Sequence, residues 1–465
     1  MSAYTRIRPV VRTLARIYRR TLARKTCVVV VVGTFGKTTT TRAVRAALGL
    51  SVSRLTGRNS GVAVPAAVLG IRPGDRHAVI EVGVSRQGDM APHARLIRPT
   101  IAVVTCIGSE HLSSFRTLEA TRAEKAEMVR ALPASGAAVL NGDDSNVLWM
   151  RSCTRARVVT YGFGDGNDVR ATGVQSEGAA GMRFTLHAAG GRYDVQTRLI
   201  GRHMIYPVLA AVAVASAERR DVVPVLAALA ALEPTGNRMD PMRHSSGALL
   251  VVDAFKAALE TIHAALAALE EMSAWRKLVV LGDVEEPPGS QGPIYREVGA
   301  HAAQVADCVL FVGGRTNYHR LKAGTVGAGM PREALVHVRT GCRGAAEWLA
   351  LEMRPGDVVL IKGRSTEHFE RIALILQGAH VGCAARLCRR RHDCETCPLL
   401  ADGGRDEPPS ARRSTGPLAT EGSGAGDGPP GRASAIDPTG GRDALSTSGE
   451  RCVDRGASDR SSSRG

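Results

Sequence analysis

Residues 33–41 read GTFGKTTTT and follow directly on the apolar run CVVVVV. A lysine after glycine, then four threonines, is a set of groups suited to a phosphate ester. Backbone N–H groups at a helix start meet anionic oxygens. Lys37 can reach the β- and γ-phosphates of a nucleotide, and Thr38 or Thr39 can ligate magnesium. The general phosphate-loop pattern places a glycine at position 31, where this chain has Val31, so the generic motif fails. A plain Gly-rich turn between strand and helix is the competing reading. A second cluster is CAARLCRRRHDCETCPLL, in which Cys383, Cys388, Cys394 and Cys397 form C-x4-C-x5-C-x2-C with His392 as a spare ligand. Four soft ligands ending in C-x-x-C suit a closed tetrahedral zinc site. A basic helical tail with free thiols is the alternative there.

These groups need elements to hold them. CVVVVVG, HAVIEVG and TIAVVTCIG are continuous apolar runs, as parallel strands buried on both faces should be. From 27 to about 235 strands are expected to alternate with helices. A second α/β unit follows over 236–378, with strands in ALLVVDAF, KLVVLGD, CVLFVGG and DVVLIKG and a helix in AALETIHAALAALEEM. The fold class is therefore α/β: a central phosphate-loop ATPase domain with a mainly parallel sheet (27–235), then a Rossmann-like domain (236–378). A Cys-rich basic segment (379–400) and a disordered Gly/Ser/Pro-rich tail (401–465) complete the reading. Residues 1–26 place Val10, Val11, Leu14, Ile17, Tyr18 and Leu22 at helical spacing, with eight Arg or Lys and no acid. That pattern fits a helix packed on the domain with its basic face in solvent. It also fits a peripheral contact with an anionic membrane.

Composition narrows the function classes. The chain of 465 residues has 44% hydrophobic but only 4% aromatic residues, and a formal net charge of +17. No aromatic–basic interleaving accompanies the charge, so it does not indicate a nucleic-acid partner. No apolar run of about 18 residues marks a transmembrane helix. No apolar leader segment is evident either. Thiols such as Cys27, Cys106 and Cys308 lie scattered in apolar segments, and the cytoplasm is the expected compartment.

The loop G-T-x-G-K-T-T resembles the ATP loop of the Mur ligases, ATP-dependent amide ligases that build the peptidoglycan stem peptide. Further segments occur in the order that family shows: TGRNSGVAVPAAVLG (56–70), VIEVGVSRQGDM (79–90), TCIGSEHLSSFRTLEATRAEKAEM (105–128), AVLNGDD (138–144), GRHMIYPVLAAVAVA (201–215) and GNRMD (236–240). Among its branches the closest joins D-alanyl-D-alanine to a UDP-linked tripeptide. The resemblance spans roughly 27–378. It implies ATP contacts from Gly33, Thr34, Gly36, Lys37, Thr38, Thr39, Asn141 and Arg238. It implies Mg²⁺ ligation by Thr38, Glu81 and His111, catalytic roles for Lys37, Glu81, His111 and Lys125, and substrate contacts from Asn59, Asp253 and Lys362. Lys125 falls where several relatives carbamylate a lysine to gain an oxygen ligand; a surface lysine in RAEKAEM is the competing reading. Asn141 serves equally as a turn residue before GDD. The reaction implied is amide-bond formation through an acyl phosphate, with a UDP-muramoyl peptide and D-alanyl-D-alanine as partners.

The chain also departs from the family. Only some 26 residues precede the first strand, so the family's UDP-holding N-terminal domain is expected to be missing or supplied by a protein partner. VVDAFKAALET (251–261) has Lys256, Ala258 and Leu259 out of pattern and reads as continuous helix. Met204, Pro207, Tyr295 and Arg364 replace residues usual in the family. The ATP and metal side is better kept than the acceptor side. Two other functions fit these departures: a ligase for another polymer of the poly-γ-glutamate type, and an ATP-binding subunit without its own acceptor site.

Overall fold

Buried strands of valine, isoleucine and leucine set up two sheets. The computed structural model describes residues 3–51, 59, 61–110, 112–389 and 394–400, with the side chains of 3–8 and 112–113 left aside. The expected tail 401–465, His111, His392 and most of 52–60 therefore lie outside the described residues.

The first sheet holds β1 (Cys27–Val32), β2 (His77–Glu81), β3 (Ile101–Val104), β4 (Ala137–Asn141), β5 (Arg157–Gly162), β6 (Val169–Ser176), β7 (Met182–Ala188) and β8 (Gly191–Thr197). Their spatial order is β2-β1-β3-β4-β5-β6-β7-β8. Strands β1 to β6 pair parallel, whereas β7 and β8 add antiparallel. Alternation with helices does not hold over the whole unit as expected, because β6, β7 and β8 follow one another without a helix between them. Their burial alternates along each strand, the mark of a sheet packed on one face only. In β1, by contrast, Val28 to Val32 are all fully buried.

Helices α1 (Ala3–Arg20), α2 (Lys37–Ala47), α3 (Ala63–Leu69), α4 (Met90–Ile97), α5 (Leu112–Phe115), α6 (Leu118–Arg130), α7 (Ser145–Leu148), α8 (Ile205–Ala217) and α9 (Val222–Ala230) cover this sheet. One core joins α2, α8 and α9 to one face; the other joins α1, α3, α4 and α6 to the opposite face. Helix α8 is apolar all round because it is buried all round.

The second sheet comprises β9 (Asp240–Arg243), β10 (Leu249–Asp253), β11 (Lys277–Leu281), β12 (Cys308–Phe311), β13 (Leu335–His337) and β14 (Val358–Lys362). Its order is β13-β12-β11-β14-β10-β9, parallel except for β9. Helices α10 (Leu259–Glu270), α11 (Gln291–Val305), α12 (Arg315–Gly327), α13 (Gly341–Glu352) and α14 (Glu370–Leu376) flank it. The segment expected as continuous helix over 251–261 is not one. Strand β10 ends at Asp253, residues 254–258 form a loop, and α10 starts at Leu259. Ala258 is extended (φ −68°, ψ 153°), and the Lys362 ammonium holds the Lys256 carbonyl, so the backbone here is committed to a loop despite its helix-forming residues.

Candidate active site

In a parallel sheet, side chains at the carboxyl ends of neighbouring strands converge on one crevice. Strand β1 lies between β2 and β3, so the loop after Val32, the end of β2 and the loop after β3 meet. Glu81 pairs in register with Val31, one residue short of the end of β1.

The 33–36 loop needs two glycines. Gly33 has φ 142°, and a Cβ there would sit 1.9 Å from Thr105 Oγ1. Gly36 has φ 77° and caps α2 without any side-chain hydrogen bond, so the first-turn amides of α2 face the crevice uncapped. The loop is braced from β3. Thr34 N–H donates to the Cys106 carbonyl at 2.8 Å, Gly108 N–H donates to Thr34 Oγ1 at 2.9 Å, and Thr105 Oγ1 donates to the Phe35 carbonyl at 2.6 Å. Lys37 Nζ donates to the Thr34 carbonyl at 2.6 Å.

The threonines divide. Thr38 Oγ1 donates to Glu81 Oε1 at 3.3 Å. Thr39 Oγ1 instead meets Thr235 Oγ1 at 3.2 Å, so it links α2 to the segment leading into the second sheet. Asn59 Nδ2 donates to Glu81 Oε1 at 2.6 Å. The other carboxylate oxygen, Glu81 Oε2, is buried with no hydrogen-bond partner among the described residues. A buried anionic oxygen left in that state costs free energy unless a cation meets it. With the Thr38 hydroxyl beside it, it forms the hard-oxygen set that Mg²⁺ takes together with phosphate oxygens. His111, the third expected ligand, is outside the described residues.

Lys125 is not a surface lysine. It is buried on α6, and burial, reinforced by the Lys37 charge, pulls its pKa down to about 8. Asn141 is committed to the turn. Its Nδ2 donates to the Thr105 carbonyl at 2.9 Å and its Oδ1 accepts from Asp143 N–H at 3.1 Å. Because β4 lies next to β3, the amide ties the two strand ends together.

The second unit contributes across the crevice. The Arg238 guanidinium lies 3.9 Å above the Phe255 ring and 3.5 Å from Thr38 Oγ1. Such stacking fixes the plane of a cation of the kind suited to phosphate. Asp253 and Lys362, partners in the β10–β14 register, form a buried ion pair at 2.7 Å. Near that pair His203 is held neutral, its pKa lowered to about 4 chiefly by burial.

Two polar contacts cross between the units, Lys256 with Glu110 and Glu260 with Ser109. Lys256 bonds Glu110 and lies 3.4 Å from Glu285. Burial opposes its charge, but these two carboxylates outweigh it and hold its pKa above the ordinary value. Glu260, at the start of α10, accepts from Ser109 N–H and Ser109 Oγ at 2.8 Å each. Lys256 stands out in the sequence as a departure and Glu110 lies within the 105–128 segment, but no local pattern pairs them.

The expected four-cysteine zinc site is not assembled. Among the described residues, the groups whose ligating atoms lie within 4.8 Å of one another are Cys27–His77–Glu218 and His368–Glu370–Cys394. Arg371 Nη1 lies 3.7 Å from Cys383 Sγ, and His368 spends both ring nitrogens on Glu370 and the Cys388 carbonyl. Cys383 thus faces Arg371, and Cys394 lies with His368 and Glu370.

Residues 31–215 match the model of the Mur ligase middle domain, and residues 237–365 match that of the Mur ligase glutamate ligase domain. A UDP-N-acetylmuramoyl-tripeptide–D-alanyl-D-alanine ligase of Mycobacterium bovis is 31% identical over 364 residues, covering 74% of this chain and 71% of that protein. The chain belongs to the Mur ligase family. It is an ATP-dependent peptide ligase. The Escherichia coli protein of the same name is 32% identical over 293 residues, covering 62% of this chain and 64% of that one. In fold, the chain is similar to the Thermotoga maritima MurF ligase solved in complex with ADP, with a TM-score of 0.70, 23% identity and coverage of 79% and 83%. MurF of Acinetobacter baumannii gives 0.70 at 23% identity, covering 80% of each chain. The two matched domains of this Mur ligase fall on the two sheets, and the crevice lies between them.

Proposed function

We propose that this Mur ligase acts in peptidoglycan precursor synthesis as a MurF-type enzyme, joining the terminal carboxylate of a UDP-muramoyl tripeptide to the amine of D-alanyl-D-alanine. The observation that carries this reading is the buried Glu81 Oε2, without a hydrogen-bond partner among the described residues, beside Thr38 at the start of α2. The relatives at 31–32% identity support the choice of substrates.

ATP would lay its phosphates on the α2 amides, with Lys37 and Arg238 facing the β- and γ-phosphates from opposite units. The peptide carboxylate attacks the γ-phosphorus, the bond to the β-bridging oxygen breaks, and ADP leaves. The amine then attacks the acyl carbon, its proton is lost, and inorganic phosphate departs. Both steps place negative charge between fixed cations, where preorganised charge lowers the barrier most. Thr38 and Glu81 would hold Mg²⁺, which supplies charge neutralisation at the phosphate oxygens. Lys125, kept largely able to lose its proton near neutrality, would accept CO₂ and become a carbamate, an added oxygen donor. The Asp253–Lys362 pair with Asn59 would line the substrate side.

The test is ATP positional isotope exchange and ADP release with UDP-muramoyl tripeptide, with and without D-alanyl-D-alanine. Exchange requiring the tripeptide, and a Glu81→Gln variant at least about 100-fold slower with its fold retained, are expected. ADP release with glutamate oligomers and none with muramoyl peptides would overturn the MurF reading.

A further inference from the structure

Helix α1 does not show solvent a basic face alone, as the first of the two readings of residues 1–26 expects. It packs through Ala15, Tyr18 and Arg19, while Val10 (58% exposed), Leu14 (53%), Ile17 (55%) and, just past the helix, Leu22 (62%) stand in solvent. Positions 10, 14 and 17 are i, i+4 and i+7 and share one face. The helix cannot roll to hide them. Arg19 is buried and donates to the backbone carbonyls of Ile97 (2.7 Å), Arg98 (3.0 Å), Thr26 (3.3 Å) and Ala23. Tyr18 donates to the Ile71 carbonyl. A buried guanidinium with this many fixed acceptors pins the helix about its axis.

The charge around this stripe has one sign. Arg16, Arg20, Arg24 and Lys25 are exposed on the same segment, and the elements beneath it add exposed Arg95 and Arg98. The sequence has no Asp or Glu before Asp75. An exposed apolar stripe bordered by arginines is complementary to anionic headgroups over an acyl layer. A solvated helix would need only the arginines. No helix among the described residues is long and apolar enough to cross a membrane, so the contact is peripheral.

We propose that α1 docks the enzyme on an anionic phospholipid surface, with Val10, Leu14, Ile17 and Leu22 entering the interface and the flanking arginines meeting the headgroups. The test is co-sedimentation of the full chain with vesicles of phosphatidylcholine alone or containing phosphatidylglycerol. Binding is expected only with phosphatidylglycerol and should weaken with salt as surface charges are screened. The double variant Leu14→Ser/Ile17→Ser should weaken binding at least about tenfold while ligase turnover in solution and the melting temperature stay unchanged. The Arg16→Gln/Arg20→Gln pair should flatten the salt dependence. Three results would overturn the proposal: no sedimentation with phosphatidylglycerol vesicles, binding that survives the serine pair, or stripe-dependent self-association by ultracentrifugation without vesicle binding.

Discussion

Lys125 shows how much a residue's surroundings decide its chemistry. Its sequence context, between Glu124 and Glu127 in RAEKAEM, also fits an ordinary helical surface lysine. Burial beside Lys37 makes it an amine with a pKa of about 8. The sign of its pH effect follows. The cost of holding its proton in the folded state is present in full below about 8 and is relieved as pH rises towards its ordinary value of 10.5. We therefore expect turnover to rise between pH 7 and 9 and to respond to added bicarbonate, and a Lys125→Arg variant to lose both responses. A ¹³C signal for a carbamate, formed with labelled bicarbonate and missing in Lys125→Arg, checks the chemistry directly. A wild-type profile flat across that range would exclude the role. Glu81 was legible beforehand through its motif. The hydrogen bonds of its carboxylate were not, because they depend on Asn59 and Thr38 arriving from elsewhere in the chain.

At the scale of elements, local pattern was a good guide wherever burial was uniform. β1, β2, β3, β10, β11, β12 and β14 were all visible as apolar runs. The β6–β8 meander was not, since its strands alternate in burial and blend into polar turns. The 254–258 loop was misread because Ala, Lys and Leu favour helix, whereas Lys362 from β14 claims a carbonyl there. The ATP loop is the element most tightly specified by conformation. Replacing Gly33 by Ala combines a positive φ with an overlap at 1.9 Å from Thr105 Oγ1. We expect a loss of about 2–4 kcal/mol in stability, read by denaturant unfolding, and a weakened affinity for ATP by titration. Gly36→Ala meets nothing within 4 Å and carries only the penalty of its left-handed backbone, on the order of 1 kcal/mol.

At the scale of the whole molecule, the two units are joined by polar contacts at the crevice: Lys256 with Glu110, and Glu260 with Ser109. These hold Arg238 over the start of α2. Glu260 is exposed and outside the proposed chemistry, so Glu260→Ala should leave each unit folded. We expect it to lower kcat several-fold and to speed amide hydrogen exchange around Ser109 and the first turn of α10, and solution scattering should report a wider molecule. Unchanged exchange at Ser109 would show that the contact does not set the closure. The sequence by itself determined the α/β class, the phosphate loop, the order of its companion motifs and hence the family, because these depend on residues close in the chain and on uniform burial. Only the tertiary structure decided which threonine meets Glu81, which strand ends the Asn141 amide ties together, that Cys394 lies with His368 and Glu370, and that α1 turns its apolar stripe outward. Each of those outcomes depends on hydrogen-bond and packing partners distant in sequence, and no local pattern of residues encodes such a partner.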